Sequence, residues 1–257
     1  MPLDYDLLIN SAKKEKENFR ALTSNILYES KGILFSEMFF LFLCSKQSRC
    51  KRILESGRAR GQSTLILAKT FPEKLIISFE YDPNSIDVQI AEKRLQSYSN
   101  IDLRFGDAVK LLPEVAENYD ITLIDGPKGF RGLRFGLQLM ATGKIPMIFI
   151  HDTNINTPER KFLERYLPNT LYSDTPDFSS ITHDLDDGTA EIPSEYKFHA
   201  TYPNAGYGYS LACLVHDPTI NYRSLYLYAI FFEMTQRLNK SITKRFLRLC
   251  GRLDSDR

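Results

Sequence analysis

The 257 residues include 43% hydrophobic and 25% charged side chains, enough for one α/β domain with a full core and a helical appendage but not for two equal domains. With 33 Lys and Arg against 32 Asp and Glu, the formal charge is +1, which excludes an overall field that gathers nucleic acid and leaves local clusters to be read. The four cysteines, Cys44, Cys50, Cys213 and Cys250, form no CxxC pair, so neither a disulfide framework nor a zinc knuckle is indicated.

The first residues, Met1-Pro2-Leu3-Asp4, lack the basic start and apolar run of a signal peptide, and the expected location is the cytoplasm. Residues 3–47 place apolar side chains at helical intervals, with Ile33, Leu34, Met38 and Phe39 on one broad face, and predict a helical extension over 1–48. From Arg52 the pattern changes to short apolar runs at 52–56, 75–80, 101–105, 120–125 and 146–151. Helix-like segments at 62–70, 83–98, 108–117 and 130–141 alternate with them. Asp82 is the expected N-cap of the second of these helices, with Pro83 in its first turn. This alternation predicts a doubly wound, mostly parallel seven-stranded sheet with helices on both faces, spanning residues 49–217.

After a helix at 159–167 the periodicity fades until about Tyr207. Seven acids fall between Asp174 and Glu195 with no Lys or Arg among them, which predicts a long acidic loop over 174–205, long enough to act as a lid. A closing strand is expected at 209–216. Residues 221–252 read as a helix with a basic final third, within a C-terminal segment 218–257.

Ligands of doubly wound sheets sit at the carboxyl ends of the strands. There the first strand runs into Glu55-Ser56-Gly57-Arg58-Ala59-Arg60-Gly61-Gln62-Ser63-Thr64, a turn whose glycines let a ligand approach backbone N–H groups at a helix start. The second strand ends in Phe79-Glu80-Tyr81-Asp82, which supplies a carboxylate suited to ribose hydroxyls. The third is followed by Gly106-Asp107-Ala108, where Asp107 suits an adenine amine or, alternatively, a helix N-cap. Three such turns at successive strand ends describe an adenosine site.

These residues resemble the class I S-adenosylmethionine-dependent methyltransferases, whose usual first motif is E-x-G-x-G-x-G. Glu55, Gly57 and Gly61 hold three of its positions, and Ala59 stands at the central glycine. The resemblance covers roughly 50–153, with weaker agreement at 207–215. It implies S-adenosylmethionine as cofactor, held by Glu55, Ser56, Gly57, Gly61, Ser63, Glu80, Tyr81, Asp107, Ala108 and Asp125.

At the ends of the fourth and fifth strands, Asp125-Gly126-Pro127-Lys128-Gly129 and His151-Asp152-Thr153-Asn154 are similar to the metal-dependent O-methyltransferases related to catechol methyltransferase. That similarity implies Asp125 and Asp152 as ligands of a hard cation such as Mg²⁺. It also implies Lys128, His151 and Asp152 as catalytic residues, with Lys128 or His151 taking the acceptor's proton. Thr153 stands where the family has Asn. The implied reaction is O-methylation of a sugar or another small hydroxyl-bearing metabolite. Arg58, Arg60, Arg131 and Arg134 suit an anionic one.

Two alternatives remain open. A nicotinamide-dependent oxidoreductase shares the turn and the acid after strand two, but lacks G-x-G-x-x-G spacing and a Tyr-x-x-x-Lys pair. A non-catalytic module keeping the fold is the other. Near the C-terminus, Tyr226, Tyr228, Phe231 and Phe232 precede Lys240, Lys244, Arg245, Arg248 and Arg252. The favoured reading is a terminal helix packed on the domain or on a second copy in a homodimer, and contact with an anionic membrane surface is the lesser alternative.

Overall fold

The computed structural model describes residues 4–29, 32–46, 48–155, 157–187 and 210–249, with side chains as far as Thr235 in the last segment. Strands β1 (Arg52–Ser56), β2 (Leu75–Glu80), β3 (Ile101–Phe105), β4 (Ile121–Ile124), β5 (Met147–Ile150), β6 (Leu171–Tyr172) and β7 (Ala212–Val215) form one sheet in the order β3-β2-β1-β4-β5-β7-β6. β1 to β5 pair in parallel, and β7 runs antiparallel to both β5 and β6. The mostly parallel, doubly wound sheet expected from the sequence is therefore present.

Alternation along the strands divides the core in two. Ile53, Ile76, Ile121, Phe149 and Cys213 face one side, and Leu54, Ile77, Ile124, Ile148 and Leu214 the other. The first side is covered by α1 (Tyr5–Thr23), α2 (Phe35–Lys46), α3 (Gln62–Thr70), α4 (Ile86–Leu95) and α8 (Pro176–Thr182). The second is covered by α5 (Ala108–Val115), α6 (Gly129–Met140), α7 (Pro158–Tyr166) and α9 (Tyr222–Leu249). Arg52 clamps β1 to the start of β4, donating from Nε and Nη2 to the buried Asp120 carboxylate at 3.0 and 2.6 Å.

Helix α2 is buried on every side from Glu37 to Ser45, since α1 lies over it and seals it against the sheet. Phe19 of α1 packs 5.0 Å from Phe39, and Phe40 meets Phe149 of β5 edge-on at 6.3 Å. Each of these buried rings contributes about 2 kcal/mol through area removed from water. Asp4 starts α1 by accepting from the backbone N–H of Asp6 at 2.9 Å and of Leu7 at 3.2 Å.

Three boundaries depart from the sequence reading. Helix α4 begins at Ile86, with Ser85 as its N-cap accepting from Val88 N. Asp82 instead closes a turn on Asn84 N at 2.9 Å, which keeps Pro83 outside the helix. The two-residue β6 lies in a stretch too short to show alternation. Residues 176–186, expected as loop, form α8 and a 3-10 turn (His183–Asp186). There Phe178 is buried against Phe39 and Phe40, and Asp184 binds Lys16 and Arg20 at 2.9 and 2.7 Å. Asp184 drawn into pairs with α1, and Asp186 accepting from Ser36 N of α2, explain why a charged run without local basic partners is nonetheless ordered here. The remainder of the acidic segment, residues 188–205, and the position of Cys250 lie outside the described residues.

Candidate active site

The turn after β1 carries positive φ at three alternate residues: Gly57 (86°), Ala59 (43°) and Gly61 (77°). Ala59 thus adopts the left-handed conformation that the E-x-G-x-G-x-G pattern gives to glycine. At Gly57 a side chain has no room, since a Cβ would lie 2.9 Å from Gly126 N in the turn after β4. Gly57 N donates to Phe79 O at 2.9 Å, and Gly106 N donates to Glu80 O at 2.9 Å, so the ends of β1, β2 and β3 are stitched side by side. Gly57, Glu80 and Asp107 therefore share one neighbourhood.

Glu80 holds the turn directly. Its Oε2 accepts from Ala59 N at 2.9 Å and Arg58 N at 3.2 Å, and its Oε1 accepts from Tyr81 N at 2.8 Å. Asp107 caps α5 through Val109 N at 3.1 Å, while its other oxygen lies 3.7 Å from Arg131 Nη2. Ala108 opens that helix, and Tyr81 is exposed.

Glu55 is placed differently from a ligand contact. It lies wholly buried beneath the turn, where Ser63, Thr64 and Ser78 donate hydroxyl hydrogens to it, and burial pushes its carboxyl pKa up despite those bonds. Ser63 belongs to this buried network, and Ser56 Oγ donates to Gly126 O. Arg58 is also buried, spanning the Ser78 and Arg104 carbonyls at 2.8 and 3.0 Å with its guanidinium over the Phe105 ring. Arg60 is engaged by Glu29 and Asp87, and Arg134 by Glu233. Next to the turn the cavity is about 10 Å³, because Glu29, Gly32 and Ile33 close over it and Gln62 bonds Glu29 N and Ile33 O.

At the ends of β4 and β5 the sequence candidates converge. Lys128 Nζ binds Asp125 Oδ1 and lies 2.8 Å from Asp152 Oδ2 and 3.1 Å from His151 Nδ1. His151 Nδ1 is 2.6 Å from Asp125 Oδ1, and its Nε2 is 3.3 Å from Glu37 Oε2. Glu37, 2% exposed on α2, is the residue that the sequence reading missed; its signal was a lone carboxylate in the apolar run from Phe35 to Cys44. Asp152 stands at φ 61°, a strained conformation for a non-glycine residue next to the site.

The electrostatics follow from this crowding. Burial pulls the His151 pKa down, but Glu37, Asp125 and Asp152 outweigh it and push it up to about 10. Lys128 is likewise held charged well above the ordinary lysine value, since Asp125 and Asp152 overcome its desolvation. Burial raises the Asp125 pKa, but His151 and Lys128 prevail and hold it well below the usual carboxylate range. Lys128 and His151 are thus both held protonated among the side chains of Glu37, Asp125 and Asp152. One ligand atom each from Asp125, His151 and Asp152 lies within 4.8 Å of the others; Asp152 Oδ1 makes no hydrogen bond among the described residues and lies 3.3 Å from His151 Nδ1, and the two aspartates are the oxygen donors that suit a divalent cation.

Residues 50–124 match a family model described as "Putative methyltransferase", a span running from before β1 to the end of β4. The resemblance to the class I methyltransferases stands. The match covers the first four strands, whose turns hold the residues on which that resemblance rests. A catechol O-methyltransferase of Niastella koreensis is 32% identical over 97 residues, covering 35% of this chain and 43% of that protein. The chain thus matches less than half the length of that relative. Among solved structures, the O-methyltransferase TomG of Streptomyces achromogenes in complex with S-adenosylmethionine aligns over 84% of this chain and 91% of its own, with 15% identity and a TM-score of 0.49. An O-methyltransferase of Bacillus cereus in complex with S-adenosylhomocysteine aligns over 84% and 92%, with 19% identity and a TM-score of 0.44.

Proposed function

We propose that the chain is an S-adenosylmethionine-dependent methyltransferase acting on the oxygen of a small molecule. The observation that carries this reading is the convergence of Lys128 and His151, both protonated, with Asp125 and Asp152 beside the glycine turn. In this reading Gly57, Gly61, Glu80, Asp107 and Ala108 face the donor, whereas Glu55, Ser56 and Ser63 shape the turn from below. A donor of that size requires Glu29, Gly32 and Ile33 to move off the turn, given the small cavity there.

The transfer forms an acceptor O–CH3 bond as the donor's S–CH3 bond breaks, and the sulfonium leaves as a neutral thioether. Positioning in line is the main requirement. Protonated Lys128 and His151 are not free to take the acceptor's proton, the role implied by the sequence resemblance; they instead stabilise an acceptor that arrives as its oxyanion, which favours an acidic hydroxyl, such as a phenol or catechol, over a sugar hydroxyl. Arg131, the most exposed of the four candidate arginines, supplies a contact for an anionic acceptor. Asp125 and Asp152 are the residues that would hold a divalent cation such as Mg²⁺, which when bound lowers the pKa of the acceptor hydroxyl; His151 could join them only after giving up its proton.

Calorimetry with S-adenosylmethionine, S-adenosylhomocysteine and NADH tests the donor. Binding of the first two supports the proposal, binding of NADH alone indicates the oxidoreductase, and binding of none indicates a non-catalytic module. Transfer of labelled methyl to catechols, phenols and sugars, before and after EDTA and again with Mg²⁺ restored, tests the acceptor and the metal.

A further inference from the structure

Helix α9 runs for 28 residues, about 42 Å at the usual rise, and over its described side chains, residues 222–235, one side packs on the domain. On the packed side, Tyr222, Leu225 and Ala229 are buried. Phe232 meets Phe130 and Phe162 at 5.8 and 5.6 Å, and Glu233 pairs with Arg134. The opposite side exposes Leu227 (55%), Phe231 (64%) and Met234 (54%), at the i, i+4, i+7 spacing that puts them in one stripe. In sequence the same spacing continues with Leu238 and Ile242. Interleaved are Arg237, Lys240, Lys244, Arg245 and Arg248, and no acid occurs from Thr235 to Gly251.

Charge decides what covers the stripe. In a parallel pairing of two α9 helices the basic ends repel. In an antiparallel pairing the basic end meets residues 222–234, whose one acid, Glu233, is already bound to Arg134. A second α9 therefore offers these cations no unengaged acid, whereas an anionic lipid surface accepts both the apolar stripe and the basic run. Among the described residues no helix is long and apolar enough to cross a membrane, so the geometry is that of a helix lying in the interface. We propose that α9 docks the protein on an anionic bilayer surface, with Leu227, Phe231 and Met234 entering the headgroup boundary.

The test is co-sedimentation of the full chain with vesicles of phosphatidylcholine mixed with phosphatidylserine, and with vesicles of phosphatidylcholine alone. The expected result is sedimentation with the anionic vesicles only, reversed by salt. A Leu227→Glu/Phe231→Glu variant should bind at least about tenfold more weakly, as loss of this much buried apolar surface implies. A Lys240→Glu/Lys244→Glu variant, altered away from the stripe, should lose binding equally, and the unfolding midpoint of each variant reports whether the fold survives. Three results overturn the proposal: no sedimentation with either vesicle, equal sedimentation with both, or a solution dimer whose mass falls to that of the monomer in the Leu227→Glu/Phe231→Glu variant.

Discussion

His151 Nε2 lies 3.3 Å from Glu37 Oε2, joining the end of β5 to a helix 114 residues earlier in the chain. Glu37 in turn accepts from Leu34 N at 3.1 Å, so its carboxylate is fixed by a neighbouring turn of backbone, and of the three acids around His151 it does most to raise the histidine pKa. Replacing Glu37 by Gln keeps the volume and removes the charge. The imidazole titration, followed by NMR, should then move down by about one unit or more. An unmoved titration would show that Asp125 and Asp152 alone hold the proton.

Because His151 has a folded-state pKa of about 10 against an ordinary value of 6.5, its stabilising contribution is complete below about pH 6.5 and is lost as pH rises through 10. Urea unfolding at pH 6, 8 and 10 should therefore show falling stability. In His151→Gln the decline over the same window should be shallower, and a parallel decline in both proteins would assign it to other groups.

Lys128 occupies the space between Asp125 and Asp152, the same carboxylates that would hold a divalent cation. Ammonium and metal ion compete there by simple charge balance. Lys128→Met is expected to bind Mg²⁺ or Mn²⁺ at least about tenfold more tightly by calorimetry, in keeping with the loss of a like charge a few ångströms away, while losing most methyl transfer. Weaker metal binding in the variant would mean that Lys128 supports the site rather than competing for it.

Asp186 accepts from Ser36 N at the start of α2, at 3.1 Å, and burial with the nearby Glu37 raises its pKa to about 7. A carboxyl raised in the fold makes the protein less stable as pH climbs from about 4 to 7, because the folded state must give up a proton that it holds more tightly than the unfolded chain does. Asp186→Asn keeps the helix contact without the charge. Its advantage in unfolding midpoint over the parent should be larger at pH 8 than at pH 5. A pH-independent difference would rule out this titration.

Ala59 sits at φ 43°, where a Cβ costs about 1 kcal/mol. Ala59→Gly removes that strain at the expense of greater freedom in the unfolded chain, so the urea midpoint should rise modestly and donor affinity should hold or improve. Loss of stability would show that Glu80, through its bonds to the Arg58 and Ala59 amides, already makes the turn comfortable for alanine.

Strands β1 to β5 were readable in the sequence because each is a short apolar run bounded by turn residues, and the turns after them carry Gly57, Glu80 and Asp107 to one edge. What escaped was set by distant partners. The two-residue β6 is defined by pairing with β7 and not by any pattern of its own. Helix α8 is held by Phe178 lodged against α2, and the 3-10 turn after it by Lys16 and Arg20 across from Asp184, none of them neighbours in sequence. Glu37 was hidden for the opposite reason, since an acid in an apolar helix looks like a surface position until a second helix is found covering it.

The all-round burial of α2 has a practical outcome for anyone trimming the chain. Removing the first 48 residues would bare Phe149 and the strand faces beside it to water, and would take away the carboxylate that faces His151. A fragment starting at the glycine-turn strand would thus forfeit one wall of its interior and part of its chemistry in a single cut, which makes the opening segment as integral as the sheet it leans on.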